Sequence, residues 1–188
     1  MNTLQRRVLG LDPGGRPYDW LSLEDAARYI TIGRVMWSYG QDLITLHGGR
    51  NRFSGVQSTL EIPSVIAIDN VRSEKLYDKV PQLTNERLFR RDENICMYCG
   101  QDHSARKLSR DHIHPRSRGG EDVWENVVTA CIPCNHKKND RTPEEANMSL
   151  LALPYAPNHA EILILQNKNI LADQMEIIRP HIPRARRA

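Results

Sequence analysis

Four cysteines are the residues whose spacing says most about chemistry in this chain. They form two Cys-x-x-Cys pairs, Cys96 with Cys99 and Cys131 with Cys134, and the sequence contains no other cysteine. Thiolates at this spacing are typical ligands of tetrahedral zinc, and four of them leave no coordination position open. The pattern therefore predicts a structural zinc ion, which would stabilise a segment that has little apolar material of its own.

A second pair of polar residues lies between the two cysteine pairs. Asp111 offers a hard oxygen ligand for a divalent cation, and the adjacent His112 carries an imidazole that accepts a proton near neutral pH. Phosphodiester hydrolysis needs a cation that neutralises the scissile phosphate and a base that activates water. Asp111 and His112 together have the chemistry of a hydrolytic site for phosphodiesters, although an isolated Asp-His pair is more often a solvated surface pair.

The order of these motifs resembles that of the HNH endonuclease family. The matching residues are Cys96-x-x-Cys99, Asp111-His112-Ile113-His114-Pro115-Arg116-Ser117-Arg118-Gly119-Gly120, Asn126-Val127 and Cys131-x-x-Cys134-Asn135-His136-Lys137-Lys138. The resemblance covers somewhat less than a third of the chain. It implies a ββα unit of two strands and a helix around one divalent ion, next to the structural zinc.

The resemblance also implies roles for single residues. His112 matches the general base, and Asn126 matches the asparagine that tethers a loop and helps to orient that base. Asp111 and Asn135 match the ligands of a catalytic Mg²⁺ or Mn²⁺, with His136 as the alternative to Asn135.

Five basic residues flank the predicted site. We expect them to contact DNA phosphates. For all of them except Lys138, which matches a basic residue of the family, a solvated basic face is the alternative. They are Arg116, Arg118, Lys137, Lys138 and Arg141.

Turn and capping signals predict the elements around these residues. In the N-terminal part they predict strands over residues 8–11, 35–39, 43–46 and 62–68 and a helix that begins after Ser22. Residues 48–52 are predicted to form a loop, in which Arg50 and Arg52 are candidates to contact DNA phosphates.

Capping signals also predict helices in the C-terminal part. One begins after Thr84 and leads into Cys96. Another begins at Thr142, where threonine is the N-cap, proline takes the first helical position and glutamate completes a capping box. A buried run over residues 162–165 and a helix over 170–178 follow.

The predicted fold class is α+β with two domains. Residues 1–80 form a small mixed α/β domain that positions DNA or contacts a partner. Residues 81–188 form the zinc-stapled ββα-metal module with a C-terminal helix and a basic tail.

Composition sets limits on the class of protein. The chain has 188 residues, a net charge of +3 and a pI near 8.7, which permits a nucleic-acid partner without requiring one. No stretch approaches the ~20 apolar residues of a membrane-spanning helix, and the first residues lack the apolar core of a secretory signal. We therefore expect a cytoplasmic protein that does not bind membranes. The resemblance to the HNH endonuclease family implies a bacterial or phage-like protein.

The resemblance implies a metal-dependent endonuclease that hydrolyses DNA and leaves 3′-hydroxyl and 5′-phosphate ends. A zinc-bound DNA-binding module without catalysis and an RNA-directed nuclease stay open as alternatives. Cleavage of both strands would need two active sites, and hence a homodimer or two sequential nicks, and a specificity partner is a further possibility.

Overall fold

A computed structural model describes residues 6–186, which form two compact units. Unit 1 takes in Met1–Lys79 and His159–Ala188, and unit 2 takes in Val80–Asn158. The first five residues and the end of the predicted basic tail, Arg187 and Ala188, lie outside the described residues. Over residues 6–186, no helix is both long enough and apolar enough to cross a bilayer.

Helices and strands alternate along the chain, and the predicted α+β class is confirmed. In chain order they are β1 (Val8–Leu11), β2 (Pro17–Leu21), α1 (Leu23–Thr31), β3 (Val35–Arg50), β4 (Gln57–Ile68), α2 (Glu74–Tyr77), α3 (Asn85–Arg91), β5 (Leu108–His112), β6 (Val127–Cys131), α4 (Ile132–Lys138), α5 (His159–Gln166) and α6 (Ala172–Ile178).

Unit 1 is built on a four-stranded sheet in the order β2-β1-β4-β3. β1 runs antiparallel to β2 and parallel to β4, and β3 and β4 form an antiparallel hairpin. Apolar side chains cover both faces: Leu9 and Leu11 pack in one buried cluster, whereas Val8 packs in another with Ala26 of α1. Burial on both faces explains why β1 is a continuous apolar run rather than an alternating one.

The C-terminal helices belong to unit 1, which corrects the predicted division of the chain. Leu163 of α5 lies in the same buried cluster as Leu9, and its carbonyl accepts a hydrogen bond from Trp20 Nε1 at 2.7 Å. Gln174 of α6 donates to the carbonyl of Ser64 at 2.9 Å. Residues 159–186 therefore cover an apolar face of the sheet instead of extending the zinc-binding module.

Capping predictions hold at the start of α1 and α3. Ser22 Oγ accepts a hydrogen bond from the Asp25 N–H at 3.0 Å, and Thr84 Oγ1 accepts one from the Arg87 N–H at 3.3 Å. These bonds satisfy donors that the first turn of a helix leaves without partners.

The helix predicted after Thr142 is wrong beyond its first turn. The capping box does form, because Glu145 N–H donates to Thr142 Oγ1 at 3.3 Å and Glu145 accepts from Thr142 N–H at 3.0 Å. Asn147 then takes a φ of 52°, a left-handed conformation that ends the turn.

Residues 48–50 belong to β3 and not to the predicted loop. The ladder of β3 with β4 continues to the pair Arg50 and Gln57. Side chains of β4 bond the glycine backbone across the hairpin: Gln57 Nε2 donates to the Gly48 carbonyl at 3.1 Å and Ser58 Oγ to the Gly49 carbonyl at 3.2 Å.

Unit 2 contains the ββα arrangement that the sequence predicts. β5 and β6 pair antiparallel, with Leu108 opposite Cys131 and His112 opposite Val127. α4 begins directly after β6. The core beneath this hairpin is small; its buried members are Leu88, Phe89, Leu108, Trp124 and Val127.

Arg91 is a buried cation that ties α3 to the rest of unit 2. Its side chain is 1% exposed and is paired with that of Asp92, which is 7% exposed. The guanidinium also donates to the carbonyls of Trp124, Val127 and Tyr155 at 2.8–3.0 Å. Asp92 in turn accepts from the Thr129 N–H at 2.7 Å.

We expect Arg91→Met to lower the free energy of unfolding of unit 2 by about 3–5 kcal/mol, because it leaves the Asp92 carboxylate buried without its partner. Urea unfolding of the metal-loaded protein, followed by release of zinc to a chromogenic chelator, measures this loss in unit 2 specifically. Arg106→Met, the same change at an exposed arginine, serves as control and should stay within about 0.5 kcal/mol of the parent. Equal midpoints for the two variants would contradict the anchoring role of Arg91.

Candidate active site

The four cysteines meet at one point of unit 2. Cys96 and Cys99 lie on the turn that follows α3, Cys131 ends β6, and Cys134 lies in the first turn of α4. Their sulphur atoms all lie within 4.8 Å of one another, and Cys99 Sγ is 4.0 Å from Cys131 Sγ. Zinc–sulphur bonds of ~2.3 Å in a tetrahedron place the sulphurs about 3.8 Å apart, so the cluster fits a zinc ion.

The electrostatics of the cluster also favour a cation. Burial opposes ionisation of Cys96, but hydrogen bonds from the backbone of Cys131, Cys99 and Tyr98 lower the pKa of the Cys96 thiol to about 7. Burial and then the neighbouring sulphurs raise the pKa of Cys134, and burial raises the pKa of Cys131. The raised pKa values of Cys131 and Cys134 oppose ionisation of these two thiols, and a bound zinc ion would compensate the charge of their thiolates.

His112 lies at the end of β5 with its ring held by an acid. Its Nε2 is 2.8 Å from Asp122 Oδ1, while Arg110 Nη1 donates to Asp122 Oδ2 at 2.6 Å. The hydrogen bond from Arg110, and then the one from His112, hold the pKa of Asp122 below its usual value, so this carboxylate stays ionised. A ring that donates Nε2–H to a carboxylate keeps Nδ1 as the nitrogen that can accept a proton.

Sequence reasoning missed Asp122 and Arg110. Arg110 lies two positions before His112 on the same strand, and Asp122 lies in the loop before β6. Only the pairing of β5 with β6 brings that loop back to the histidine, and no spacing rule marks it.

Asn126 tethers the loop that follows His112. Its Oδ1 accepts from the His114 N–H at 2.9 Å, and its Nδ2 donates to the carbonyls of His114 at 3.1 Å and Glu121 at 2.8 Å. The loop closes tightly at Gly120, where a Cβ would lie 1.9 Å from the His114 carbonyl oxygen. Glycine is therefore required at position 120, and Asn126 fixes the backbone of the loop that follows His112.

Asp111 has both carboxylate oxygens engaged inside the protein. Oδ1 accepts from Lys138 Nζ at 3.0 Å, and Oδ2 accepts from the Tyr98 hydroxyl at 2.5 Å. Burial, followed by this hydrogen bond to Asp111, raises the pKa of Tyr98, which therefore stays protonated as a donor. Asp111 itself is only 4% exposed.

Lys138 is fully buried, which corrects its predicted contact with a DNA phosphate. Its ammonium group bridges Asp111 Oδ1 and the His112 carbonyl, the latter at 2.7 Å. An ammonium with these two partners and no exposed surface cannot reach a ligand without leaving them.

Asp111 and Asn135, the predicted ligands of a catalytic metal, carry oxygen atoms that suit a hard cation, but both side chains are engaged with other residues. Carboxylate and amide oxygens are the ligands that Mg²⁺ prefers. In the structure, however, Lys138 already supplies the positive charge at Asp111. Asn135 Nδ2 donates to Ser109 Oγ at 2.9 Å, so Asn135 faces β5, whereas the alternative ligand His136 is exposed. A divalent ion on Asp111 would compete with Lys138 for the same carboxylate.

The remaining basic residues differ in their surroundings. Arg116 and Lys137 are exposed to solvent. Arg118 pairs with both carboxylate oxygens of Glu145 at 2.8 Å, and Arg141 donates to two carbonyls at the end of α4. Arg116 and Lys137 are thus better placed than Arg118 and Arg141 to meet a phosphate.

Comparison with known proteins agrees with the motifs. Residues 96–151 match the model of the HNH endonuclease family, so the resemblance seen in the sequence is confirmed for that segment. The match begins at the first residue of the cysteine cluster and contains the β5-β6-α4 arrangement. No curated protein matches the chain.

We expect Cys131→Ser to lower the zinc content well below one ion per chain and to unfold unit 2, because the metal holds β6 and α4 to the first cysteine turn. Metal analysis after gel filtration and circular dichroism measure the two effects. The cluster holds every cysteine of the chain, so Ser117→Ala at an exposed loop position serves as control and should keep its zinc. A folded Cys131→Ser protein with a full complement of zinc would rule out the four-cysteine site.

Proposed function

We propose that this chain is a metal-dependent endonuclease that hydrolyses phosphodiester bonds of DNA, because residues 96–151 match the model of the HNH endonuclease family. The observation that supports this most directly is the orientation of His112. Asp122 holds its Nε2, and Arg110 keeps Asp122 ionised. A histidine oriented in this way by a carboxylate has the form of a general base.

The proposed reaction uses the residues around His112. Nδ1 of His112 takes a proton from a water molecule, whose oxygen attacks the phosphorus as the bond to the 3′ oxygen breaks. The leaving oxygen takes a proton from solvent, so the products carry a 3′-hydroxyl and a 5′-phosphate. Asp122 stabilises the imidazolium that forms, and Asn126 keeps the loop beside it in place.

We include a catalytic Mg²⁺ or Mn²⁺ in this proposal, with Asp111 and Asn135 as its ligands. Such an ion, when bound, neutralises the charge that develops on the phosphate. In the structure Asp111 Oδ1 is paired with Lys138 Nζ at 3.0 Å, so an ion held by Asp111 would share or take over this oxygen.

The substrate class follows from the family and from the exposed basic residues. Arg116 and Lys137 are the residues that we expect to contact DNA phosphates beside the site. A cytoplasmic location and a homodimer or specificity partner stay predictions.

One observation favours a second candidate function, a zinc-bound DNA-binding module without catalysis. Asp111 is buried and already neutralised by Lys138, which is the arrangement expected if no metal ever binds there. The two candidates differ in whether the protein cuts DNA at all.

We expect His112→Ala to abolish cleavage of supercoiled plasmid, at least a ~100-fold loss of rate, while zinc content and fold stay as in the parent. The reaction is run with Mg²⁺, with Mn²⁺ and without a divalent cation, and nicked and linear products are quantified on gels. His181→Ala is the matched control and should cut at the parental rate, since His181 lies in unit 1 and outside the matched segment 96–151.

A His112→Ala protein that still cuts at the parental rate would remove His112 from the mechanism. Firm DNA binding by the parent without cleavage in either metal would favour the non-catalytic candidate. Faster cleavage of a matched RNA strand than of the DNA strand would assign the activity to RNA.

A further inference from the structure

The strands β3 and β4 continue beyond the sheet of unit 1 as a two-stranded arm, residues 46–60, which begins at the pair Leu46 and Leu60. β1 pairs with β4 only over Val65–Ala67, while the ladder between β3 and β4 runs on to the pair Arg50 and Gln57. Within the described part of the chain, no third strand pairs with this arm. The five strand residues from Leu46 to Arg50 extend about 16 Å, at roughly 3.3 Å for each residue.

The arm is exposed on both faces. All residues from 45 to 59 are exposed to solvent. They include large apolar side chains that burial would favour, above all Phe53, which is 96% exposed, and Val56, which is 65% exposed. A two-stranded ribbon with no covered face is only marginally stable in water, which indicates that the arm serves to contact something outside the chain.

The charge of the arm is of one sign. Residues 46–60 contain Arg50, Arg52 and His47 but no aspartate or glutamate, and Glu61 lies at the base of the ribbon opposite Thr45. Both arginines are exposed at the far end of the ribbon. A basic ribbon without acidic residues is complementary to the phosphate backbone of a nucleic acid.

The tip of the arm presents Phe53 in a defined turn. Asn51 Oδ1 accepts hydrogen bonds from the Phe53 N–H at 2.8 Å and the Ser54 N–H at 3.0 Å, and the Asn51 N–H donates to the Val56 carbonyl at 2.8 Å. The turn thus forms from local bonds alone and leaves the phenyl ring in solvent. Next to it in the ribbon, a Cβ added at Gly49 would meet no atom within 4 Å, so the backbone there is open to close approach.

We propose that this arm binds double-stranded DNA, with Arg50 and Arg52 on the phosphates and Phe53 inserted into a groove against the bases. Two-stranded ribbons fit the grooves of DNA, and exposed apolar side chains act as wedges at base steps. The choice of DNA as the partner rests on the proposed function. Binding by the arm adds to the affinity of the nuclease domain because both belong to one chain.

Fluorescence anisotropy of a labelled DNA duplex of about 30 base pairs tests the proposal, with the full chain, no added divalent cation, and salt varied over about 50–200 mM. Arg50→Gln with Arg52→Gln should weaken binding and reduce the slope of log K against log salt by about 1.8, because each of the two arginines neutralises one phosphate and so accounts for about 0.9 of the slope. Phe53→Ala should weaken binding about tenfold without changing the slope.

The control removes the same charge from unit 1 away from the arm: Arg28→Gln with Lys75→Gln, neither of which lies in the ribbon. It should leave the affinity and the salt slope at their parental values. Circular dichroism verifies the fold of every variant.

Several outcomes would overturn the arm's role. Equal affinity and slope for the Arg50/Arg52 variant and the control would do so, as would a parent that does not bind the duplex. If the parent binds an RNA duplex as tightly as the DNA duplex, and that binding depends on Arg50 and Arg52 to the same degree, the choice of DNA is wrong. Plasmid cleavage assayed on the same samples separates the two proposals. If the parent cuts DNA and the arm variants bind it normally, the nuclease proposal stands and the arm proposal is wrong. If binding depends on the arm but the parent does not cut, the arm proposal stands and the nuclease proposal is wrong.

Discussion

The convergence of four cysteine sulphurs is the constraint on which the rest of unit 2 depends. It joins the turn after α3, the end of β6 and the start of α4 at one point. The apolar core of this unit is too small to fix these elements by burial alone. Because β5 pairs with β6 along its whole length, fixing β6 also fixes the strand that carries Asp111 and His112.

A buried polar network connects the cysteine turn to the proposed catalytic strand. Tyr98 lies between Cys96 and Cys99 and donates to Asp111, whose other oxygen is paired with Lys138 of α4. A buried ion pair is costly to break, because one charge then stays without its partner. Lys138 therefore holds Asp111 in its place on the strand, next to His112.

The sequence predicts what local chemistry determines and misses what distant contacts determine. The cysteine pairs, the cap at Ser22 and the β5-β6-α4 order are readable because each depends on residues close in the chain. Packing of α5 and α6 on unit 1, the bond of Asp122 to His112 and the burial of Lys138 depend on elements far apart in sequence or on the closing of a loop. The glycines at 48 and 49 favour a loop locally, but pairing with β4 makes them part of a strand.

Zinc titration of cleavage tests most directly whether the cysteine cluster positions the proposed catalytic residues. Zinc is removed with a chelator, the chelator is removed, and plasmid cleavage in Mg²⁺ is measured as zinc is added back to the same sample. We expect cleavage to be lost with the metal and to return in proportion to bound zinc, reaching its full rate at one ion per chain. Full cleavage by zinc-free protein would show that the cluster does not hold the site together.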